Sequence, residues 1–191
     1  MRLFVAVETP ETVRRALSKW IGPLQKAFPS ARWVRAENLH VTLKFIGDVS
    51  AESLDALRSA LGTVRHASPI EINFRGAGFF PEERRPRVLW AGIEAGAELA
   101  QLARAIDEAI EPAGIARETR EFRPHLTVAR FPEKSDNAGV ARVRGTLAAA
   151  DSPDFGSARV TDFHLYRSVL KPSGAEYTRL NSFNFARSDP E

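Results

Sequence analysis

One short motif occurs twice in the sequence, and this repeat constrains the fold more than any other feature. The stretches His40–Leu43 (HVTL) and His125–Val128 (HLTV) share the pattern His-x-Thr-x at positions 85 residues apart. The apolar run before each motif keeps the same spacing, since Ala6 of FVAVE aligns with Ala91 of LWAGI. A chance His-x-Thr pair would not carry its flanking elements with it. The repeat therefore predicts an internal duplication with two pseudo-symmetric lobes.

Apolar patterning predicts strands that alternate with helices in both halves. We expect strands at Arg2–Glu8, Leu39–Ile46, Ile70–Phe74, Val88–Ile93, His125–Phe131, Arg159–Ser168 and Glu176–Phe185. Helices are expected after Thr9 as an N-cap, after Ser50, through Leu99–Ile110 and over Asn137–Leu147. The predicted fold class is α+β, with an antiparallel sheet and outer helices in each lobe and a central cleft that carries the paired motifs. Residues 1–185 are predicted to form a single bilobal domain, with repeats over approximately 1–80 and 87–185, and residues 186–191 a polar tail.

The composition excludes several classes of chemistry. The 191 residues include no cysteine, which removes disulfides, thiolate nucleophiles and cysteine-ligated metals. The net charge is only +3, without the dense basic stripe of a duplex-coating protein, although a local cluster at Arg117, Arg120, Arg123 and Arg130 can attract phosphate. No apolar run is long enough for a transmembrane helix, and the N-terminus does not resemble a signal peptide, so a cytoplasmic location is predicted.

The motif residues suit acid–base chemistry at a phosphate group. Alternate residues of a strand share a face, so His40 lies beside Thr42 and His125 beside Thr127. Histidine titrates near neutral pH, so one imidazole can take a proton from a nucleophile while the other gives one to a leaving oxygen. The threonine hydroxyls can donate hydrogen bonds to phosphoryl oxygens. This set lacks the third ligand of a zinc or iron site, so no metal is expected, and symmetry leaves open which histidine is the acid.

The paired motifs and their flanks carry a resemblance to a known family. The segments LHVTLKFIGDV (residues 39–49) and FRPHLTVAR (residues 122–130) resemble the paired motifs of the two-histidine phosphoesterase superfamily. Within it, the similarity is greatest to the RNA 2′,3′-cyclic phosphodiesterases, once called 2′-5′ RNA ligases. It extends over nearly the whole chain, through RLFVAVETP (residues 2–10), RWVRAENLH (residues 32–40) and LYRSVLKPSGAEYTRL (residues 165–180).

The resemblance implies a role for each motif residue. His40 corresponds to the proton donor to the leaving oxygen, His125 to the base that activates water, and Thr42 and Thr127 to the threonines that hold the phosphate. The implied reaction is hydrolysis of an RNA 2′,3′-cyclic phosphate end to a 2′-phosphomonoester, without a metal or nucleotide cofactor. RNA with such an end is the implied partner, and the cleft is expected to be complete in a monomer, with no membrane and no obligate protein partner.

Two alternatives remain open from the sequence. The chain can be an RNA-end-binding protein or a 2′-5′ RNA ligase for which hydrolysis is incidental. It can also act on a small cyclic phosphate carried by a nucleotide or an ADP-ribose derivative, although the flanking sequence resembles the RNA-end group more.

Other side chains have weaker predictions. Arg130 has the opposite parity to His125 in a regular strand, but at a strand end it can curl into the cleft and bind phosphate. Lys44 keeps the parity of the first motif and so can face the cleft. Trp90 is expected in the core because of its apolar neighbours, whereas base stacking stays open for Phe45 and Trp33.

Overall fold

Strands and helices alternate along the chain. The structure is a computed structural model that describes residues 1–82, 85–132, 137–148, 152–172 and 174–185. The strands are β1 (Arg2–Glu8), β2 (Arg32–Trp33), β3 (His40–Asp48), β4 (Ile70–Phe80), β5 (Val88–Ala95), β6 (His125–Arg130), β7 (Asp154–Val160), β8 (Asp162–Lys171) and β9 (Gly174–Asn184). The helices are α1 (Glu11–Ala27), α2 (Leu54–Leu61), α3 (Ala97–Ile110) and α4 (Asn137–Ala148). The predicted tail at 186–191 lies outside the described residues.

The strands form two antiparallel sheets, which confirms the predicted α+β class. One sheet has the order β3-β1-β8-β9 and the other the order β2-β6-β5-β4-β7. Neither sheet comes from one half of the sequence, because β8 from the second half pairs with β1, and β4 from the first half pairs with β5. Each sheet thus takes two strands from the other half (β8 and β9 in one sheet, β2 and β4 in the other), and backbone hydrogen bonds tie the halves to each other.

This exchange explains why the single strand predicted at Arg159–Ser168 was wrong. β7 ends at Val160 and pairs with β4, whereas β8 begins at Asp162 and pairs with β1. The chain crosses from one sheet to the other at Thr161, whose carbonyl accepts a hydrogen bond of 2.8 Å from the Phe185 N–H. Only two polar residues, Thr161 and Asp162, separate the buried Val160 from the buried Phe163 at this crossing.

The strand register aligns the two halves differently from the sequence alignment. Ala6 lies opposite Thr42 in the first sheet, and Trp90 lies opposite Thr127 in the second. Trp90 is therefore the equivalent of Ala6, and the predicted match of Ala6 to Ala91 was wrong by one residue. The two alanines face opposite sides of their sheets, since Ala91 belongs to the hydrophobic core cluster and Ala6 lies outside it.

Both motif strands contain a bulge at the same place. Thr42 and Lys44 lie opposite consecutive residues of β1, so the ladder passes over Leu43. In β6 the ladder passes over Val128 in the same way. A bulge reverses the alternation of faces beyond it. Positions 45 and 130 consequently return to the face of the motif histidines, and position 44 does not.

The helices cover the sheets away from the motif strands' polar face. In α1 the buried residues recur at helical spacing (Val13, Leu17, Ile21 and Leu24), and this helix contacts β7 and α4, whereas α3 contacts α2 and β3. α1 begins at Glu11 after an extended Pro10, so the prediction of Thr9 as N-cap was wrong: no side-chain cap hydrogen bond forms. Among the described residues, no helix combines the length and apolar character needed to cross a membrane.

Candidate active site

The candidate site lies where β3 and β6 approach each other from the two sheets, with Cα atoms of the two strands within 8 Å. His40 is the first residue of β3, and His125 is the first residue of β6. Thr42 and Thr127 follow on the same faces, and all four residues are partly exposed. The two strands that carry the His-x-Thr motifs therefore approach each other at one junction between the sheets.

Both histidines are held by the same kind of hydrogen bond. His40 Nδ1 lies 2.7 Å from the carbonyl of Asn38, and His125 Nδ1 lies 2.7 Å from the carbonyl of Arg123. A carbonyl only accepts, so each Nδ1 carries the hydrogen and each neutral ring keeps its lone pair on Nε2. Asn38 is itself fixed, because its amide donates to the Ala175 carbonyl at 2.7 Å. Each imidazole is thus oriented with Nε2 as its reactive atom.

Aromatic rings surround His40. Its ring stacks on Phe4 with a centroid distance of 4.7 Å and meets the edge of Tyr177 at 5.1 Å, while Tyr166 lies at 6.4 Å. Burial lowers the pKa of His40 from 6.5 to about 4, although the hydrogen bond to Asn38 acts in the opposite direction. In the free protein His40 is therefore neutral at physiological pH.

A charged pair that the sequence analysis missed lies beside His40. Glu8 is opposite His40 on β1, and it accepts hydrogen bonds from Arg179 and, at 3.3 Å, from the Tyr166 hydroxyl. Burial alone raises the pKa of Glu8, but the hydrogen bond and charge of Arg179 outweigh it and hold that pKa below its ordinary value. Burial and the Glu8 charge raise the pKa of Tyr166 to about 12. The alternation of faces along β1 could have placed Glu8 on the same face as Ala6. Its ion pair with Arg179 of β9 could not be predicted, because it depends on tertiary structure.

The surroundings of His125 are different. The edge of Phe80 meets the His125 ring at a centroid distance of 5.2 Å, and Phe80 lies 5.4 Å from Trp90. Trp90 and His125 line the same open pocket, so the expectation that Trp90 packs in the core was wrong. Its ring lies over Gly78, where an added Cβ would approach the indole to 2.3 Å. Trp90 lies opposite Thr127 in the strand register, so its side chain is on the face of the motif residues.

The bulges decide where the two cations of the motif strands point. Arg130 is exposed beyond the β6 bulge, on the face of His125. Burial raises the pKa of Tyr177, and the positive charge of Arg130 opposes this rise. Lys44 instead turns away from the cleft and is 6% exposed. Its ammonium donates to the Asp107 carboxylate and, at 2.7 Å, to the Ala116 carbonyl. The prediction that Lys44 can face the cleft was therefore wrong.

The aromatic residues left open by the sequence separate into two environments. Phe45 is 59% exposed on the cleft face, with its ring 6.3 Å from that of Phe4. Trp33 packs against the core, and its indole N–H donates to the Phe28 carbonyl at 3.0 Å. Base stacking thus stays open for Phe45, while Trp33 faces away from the cleft.

Three arginines of the predicted phosphate-attracting cluster share their charge with carboxylates. Arg117 pairs with Glu108 at 2.9 Å, Arg120 with Glu118 at 2.9 Å and Arg123 with Glu121 at 3.0 Å. These exposed pairs reduce the local excess of positive charge. Arg130, whose charge acts on Tyr177, is the member of the cluster closest in sequence to Thr127.

The fold and the site together define a class of α+β proteins. Two antiparallel sheets each contribute one His-x-Thr strand to their junction, and a backbone carbonyl orients the histidine of each strand. In the described part of the chain, no three His, Asp or Glu side chains converge as metal ligands. The chain belongs to the 2′-5′ RNA ligase superfamily, whose sequence profile matches residues 13–171.

Curated relatives match nearly end to end. An RNA 2′,3′-cyclic phosphodiesterase of Archaeoglobus fulgidus is 37% identical over 186 residues, which are 96% of this chain and 99% of the relative. One from Methanothermobacter thermautotrophicus is 36% identical, with 96% and 98% covered. Among solved structures, TT0787 of Thermus thermophilus aligns with a TM-score of 0.80 at 31% identity, covering 99% of this chain and 100% of that one. E. coli LigT complexed with 3′-AMP aligns with a TM-score of 0.76 at 31% identity, with 96% and 97% covered.

Proposed function

We propose that the chain hydrolyses RNA 2′,3′-cyclic phosphate ends to 2′-phosphomonoesters by acid–base catalysis, without a metal. The names of its relatives support the activity. The observation that carries the mechanism is the matched pair of histidines, each with Nδ1 bound to a carbonyl at 2.7 Å and Nε2 left as the reactive atom. The substrate that this arrangement fits is a phosphodiester with a nucleophile on one side and a leaving oxygen on the other.

In the proposed step, water attacks phosphorus and gives its proton to Nε2 of His125. The bond from phosphorus to the 3′ oxygen breaks, and that oxygen takes a proton from Nε2 of His40. The product carries a 2′-phosphate and a free 3′-hydroxyl. Thr42 and Thr127 donate hydrogen bonds to the non-bridging oxygens, and Arg130 balances their charge. Each proton transfer contributes roughly 10²- to 10⁴-fold in rate.

His40 must be protonated to act as the acid, although its pKa is about 4 in the free protein. A bound phosphate brings a negative charge next to the ring, which favours the imidazolium and raises this pKa. Substrate binding therefore charges the acid that the reaction needs. The assignment of His40 as acid and His125 as base follows the family resemblance, and the opposite assignment is the competing arrangement.

The test uses a short RNA with a 2′,3′-cyclic phosphate end in excess EDTA, with the wild type and the variants His40→Ala and His125→Ala. We expect the wild type to form the 2′-phosphate and each variant to lose at least about 10²-fold in kcat while still binding RNA. His66→Ala is the matched control, because His66 also places Nδ1 against a carbonyl (Ser68, 2.6 Å) but packs on Phe185 outside the junction.

The outcomes separate the alternatives. Loss of turnover in EDTA, or full activity of either cleft variant, would contradict the mechanism. RNA binding without any turnover would favour an RNA-end-binding protein or a ligase. Faster turnover of cyclic mononucleotides than of RNA would favour a small-molecule substrate.

We also propose that the chain is a monomer and cytoplasmic. Light scattering of the chain with and without this RNA tests the first proposal, and cell fractionation tests the second.

A further inference from the structure

The segment between α3 and β6 leads into the second motif. After one turn of 3₁₀ helix it has no helix or strand, and near its end the carbonyl of Arg123 orients the His125 ring at 2.7 Å. Ile115 and Phe122 pack against the core, but residues 116–121 between them are all exposed. Burial of side chains therefore does not hold this stretch, and contacts of its backbone fix the path of the chain.

Two buried charged residues hold the backbone of this stretch. The ammonium group of Lys44 donates a hydrogen bond to the Ala116 carbonyl at 2.7 Å. Both carboxylate oxygens of Asp107 accept the N–H of Glu118, at 3.2 and 3.1 Å. Lys44 also donates to Asp107, so these contacts form one connected group, which we call the Lys44–Asp107 clamp. Hydrogen bonds to charged groups are the strong ones, and burial strengthens them further, so the clamp fixes the backbone at both positions.

The clamp joins the two halves of the site. Lys44 belongs to β3 and follows Thr42 by two residues, whereas the segment that it holds leads to His125 of β6. The bulge in β3 turns Lys44 away from the cleft, to the side where Asp107 of α3 and the Ala116 carbonyl lie. The clamp is therefore a buried link from the strand of Thr42 to the chain that leads into the strand of His125.

Stability alone does not account for this ion pair. The desolvation of two buried charges offsets most of their attraction, so apolar residues of similar size often stabilise a fold equally well. Apolar residues at positions 44 and 107 would, however, leave the Ala116 carbonyl and the Glu118 N–H without these partners. What the ion pair adds is a fixed position for the backbone that precedes His125.

From these contacts we infer that Lys44 is a positioning residue for His125, acting through Asp107 and the backbone of residues 116–118. The inference rests on the proposed function, in which His125 takes the proton from water. Lys44 lies on the side of the sheet away from the cleft, so it does not contact the phosphate. Loss of the clamp should move the His125 ring relative to the bound phosphate and slow the chemical step, while substrate binding changes little.

The double variant Lys44→Met with Asp107→Leu tests the inference, because it removes the clamp without leaving an unpaired buried charge. In hydrolysis of a 2′,3′-cyclic phosphate RNA end, its kcat should fall roughly 10- to 100-fold, the cost of misplacing a reacting group by about 1 Å, while KM changes by less than about 3-fold. The matched control, Arg159→Met with Glu71→Leu, removes an exposed ion pair of 3.6 Å between β7 and β4. It should change neither constant by more than about 2-fold, and urea unfolding checks that both double variants are folded.

The same two clamp substitutions in further backgrounds identify which histidine the clamp serves. In a His125→Ala protein they should change the residual kcat by less than about 2-fold, because the ring that the clamp positions is already gone. In a His40→Ala protein the full loss of roughly 10- to 100-fold should remain.

A second variant guards against misfolding of the first. Asp107→Asn keeps the size of the side chain but replaces one acceptor oxygen with an amide group, so its kcat should lie between those of the wild type and the double variant. A wild-type kcat in both clamp variants would overturn the inference and leave the proposed function standing. An undiminished loss in the His125→Ala background would also overturn it, since the clamp would then act on another part of the site. A wild type without hydrolysis would overturn the proposed function and this inference together.

Discussion

Burial of neutral His40 should make the fold less stable as the pH falls below neutrality. The ordinary pKa of the imidazole is 6.5, and in the folded protein it is about 4. Since the folded value is the lower one, the unfolded chain binds more protons between these values, and the free energy of unfolding decreases as the pH falls through this window. At about 1.4 kcal/mol per pKa unit, the difference amounts to about 3 kcal/mol by pH 4. Above about pH 6.5 the effect vanishes.

The substitution His40→Asn isolates this effect. Asparagine does not titrate, and its amide can still donate to the Asn38 carbonyl that holds the imidazole at 2.7 Å. Urea unfolding of both proteins between about pH 7.5 and pH 4 gives the difference in free energy at each pH. The comparison cancels other groups that titrate in both proteins, such as His164, whose pKa is lowered by burial. Parallel pH dependences in the two proteins would refute the reasoning, as would an NMR titration of His40 with a midpoint near 6.5.

The same pKa predicts how catalysis depends on pH. The pH profile of kcat/KM reports the free enzyme, so one of its limbs should lie near pH 4. The profile of kcat reports the complex, in which the bound phosphate raises the pKa of His40, so this limb should move to higher pH. A limb at the same pH in both profiles would show that the phosphate does not charge His40.

Further outcomes follow from individual contacts. Lys44→Met leaves the buried Asp107 carboxylate without its ammonium group, so the free energy of unfolding in urea should fall by about 3 kcal/mol. The double variant Lys44→Met with Asp107→Leu removes both charges and should regain most of this free energy. Thr127→Val keeps a β-branched strand residue but removes a hydrogen bond to the phosphate, so kcat/KM should fall roughly 10- to 150-fold at unchanged stability, and unchanged kinetics would contradict its role. Gly78→Ala should cost about 1–3 kcal/mol in urea unfolding and shift the tryptophan emission, because it forces Trp90 to move; an unchanged spectrum would contradict the contact.

The motif strands illustrate what could be predicted from the sequence. Alternation of apolar and polar residues is a local property of a strand, and it correctly placed Leu126 in the core and left Thr127 partly exposed. The predictions for Lys44 and Trp90 failed because bulges and register depend on the partner strand. Nothing in residues 40–46 shows that the ladder passes over Leu43. The crossing at Thr161 likewise depends on strand partners, since β7 and β8 follow each other directly in sequence but pair in different sheets.

The two halves of the site agree at the motif residues and differ further out. The histidines, the threonines and both bulges are equivalent in the two sheets. Beyond the bulges, however, one half places Phe45 where the other places Arg130.

This combination has a chemical consequence. Equivalent histidines with equally oriented rings can each give or take a proton, so the reaction can run in both directions through one geometry. In the proposed mechanism, the two sides differ in their surroundings. Phe4 and the tyrosines bury His40, and this burial lowers its pKa, so in the proposed reaction His40 depends on the bound phosphate for its charge. The open aromatic pocket beside His125 leaves space for the nucleophile. In the proposed mechanism, the residues that flank the duplicated motif therefore give a duplicated fold its direction.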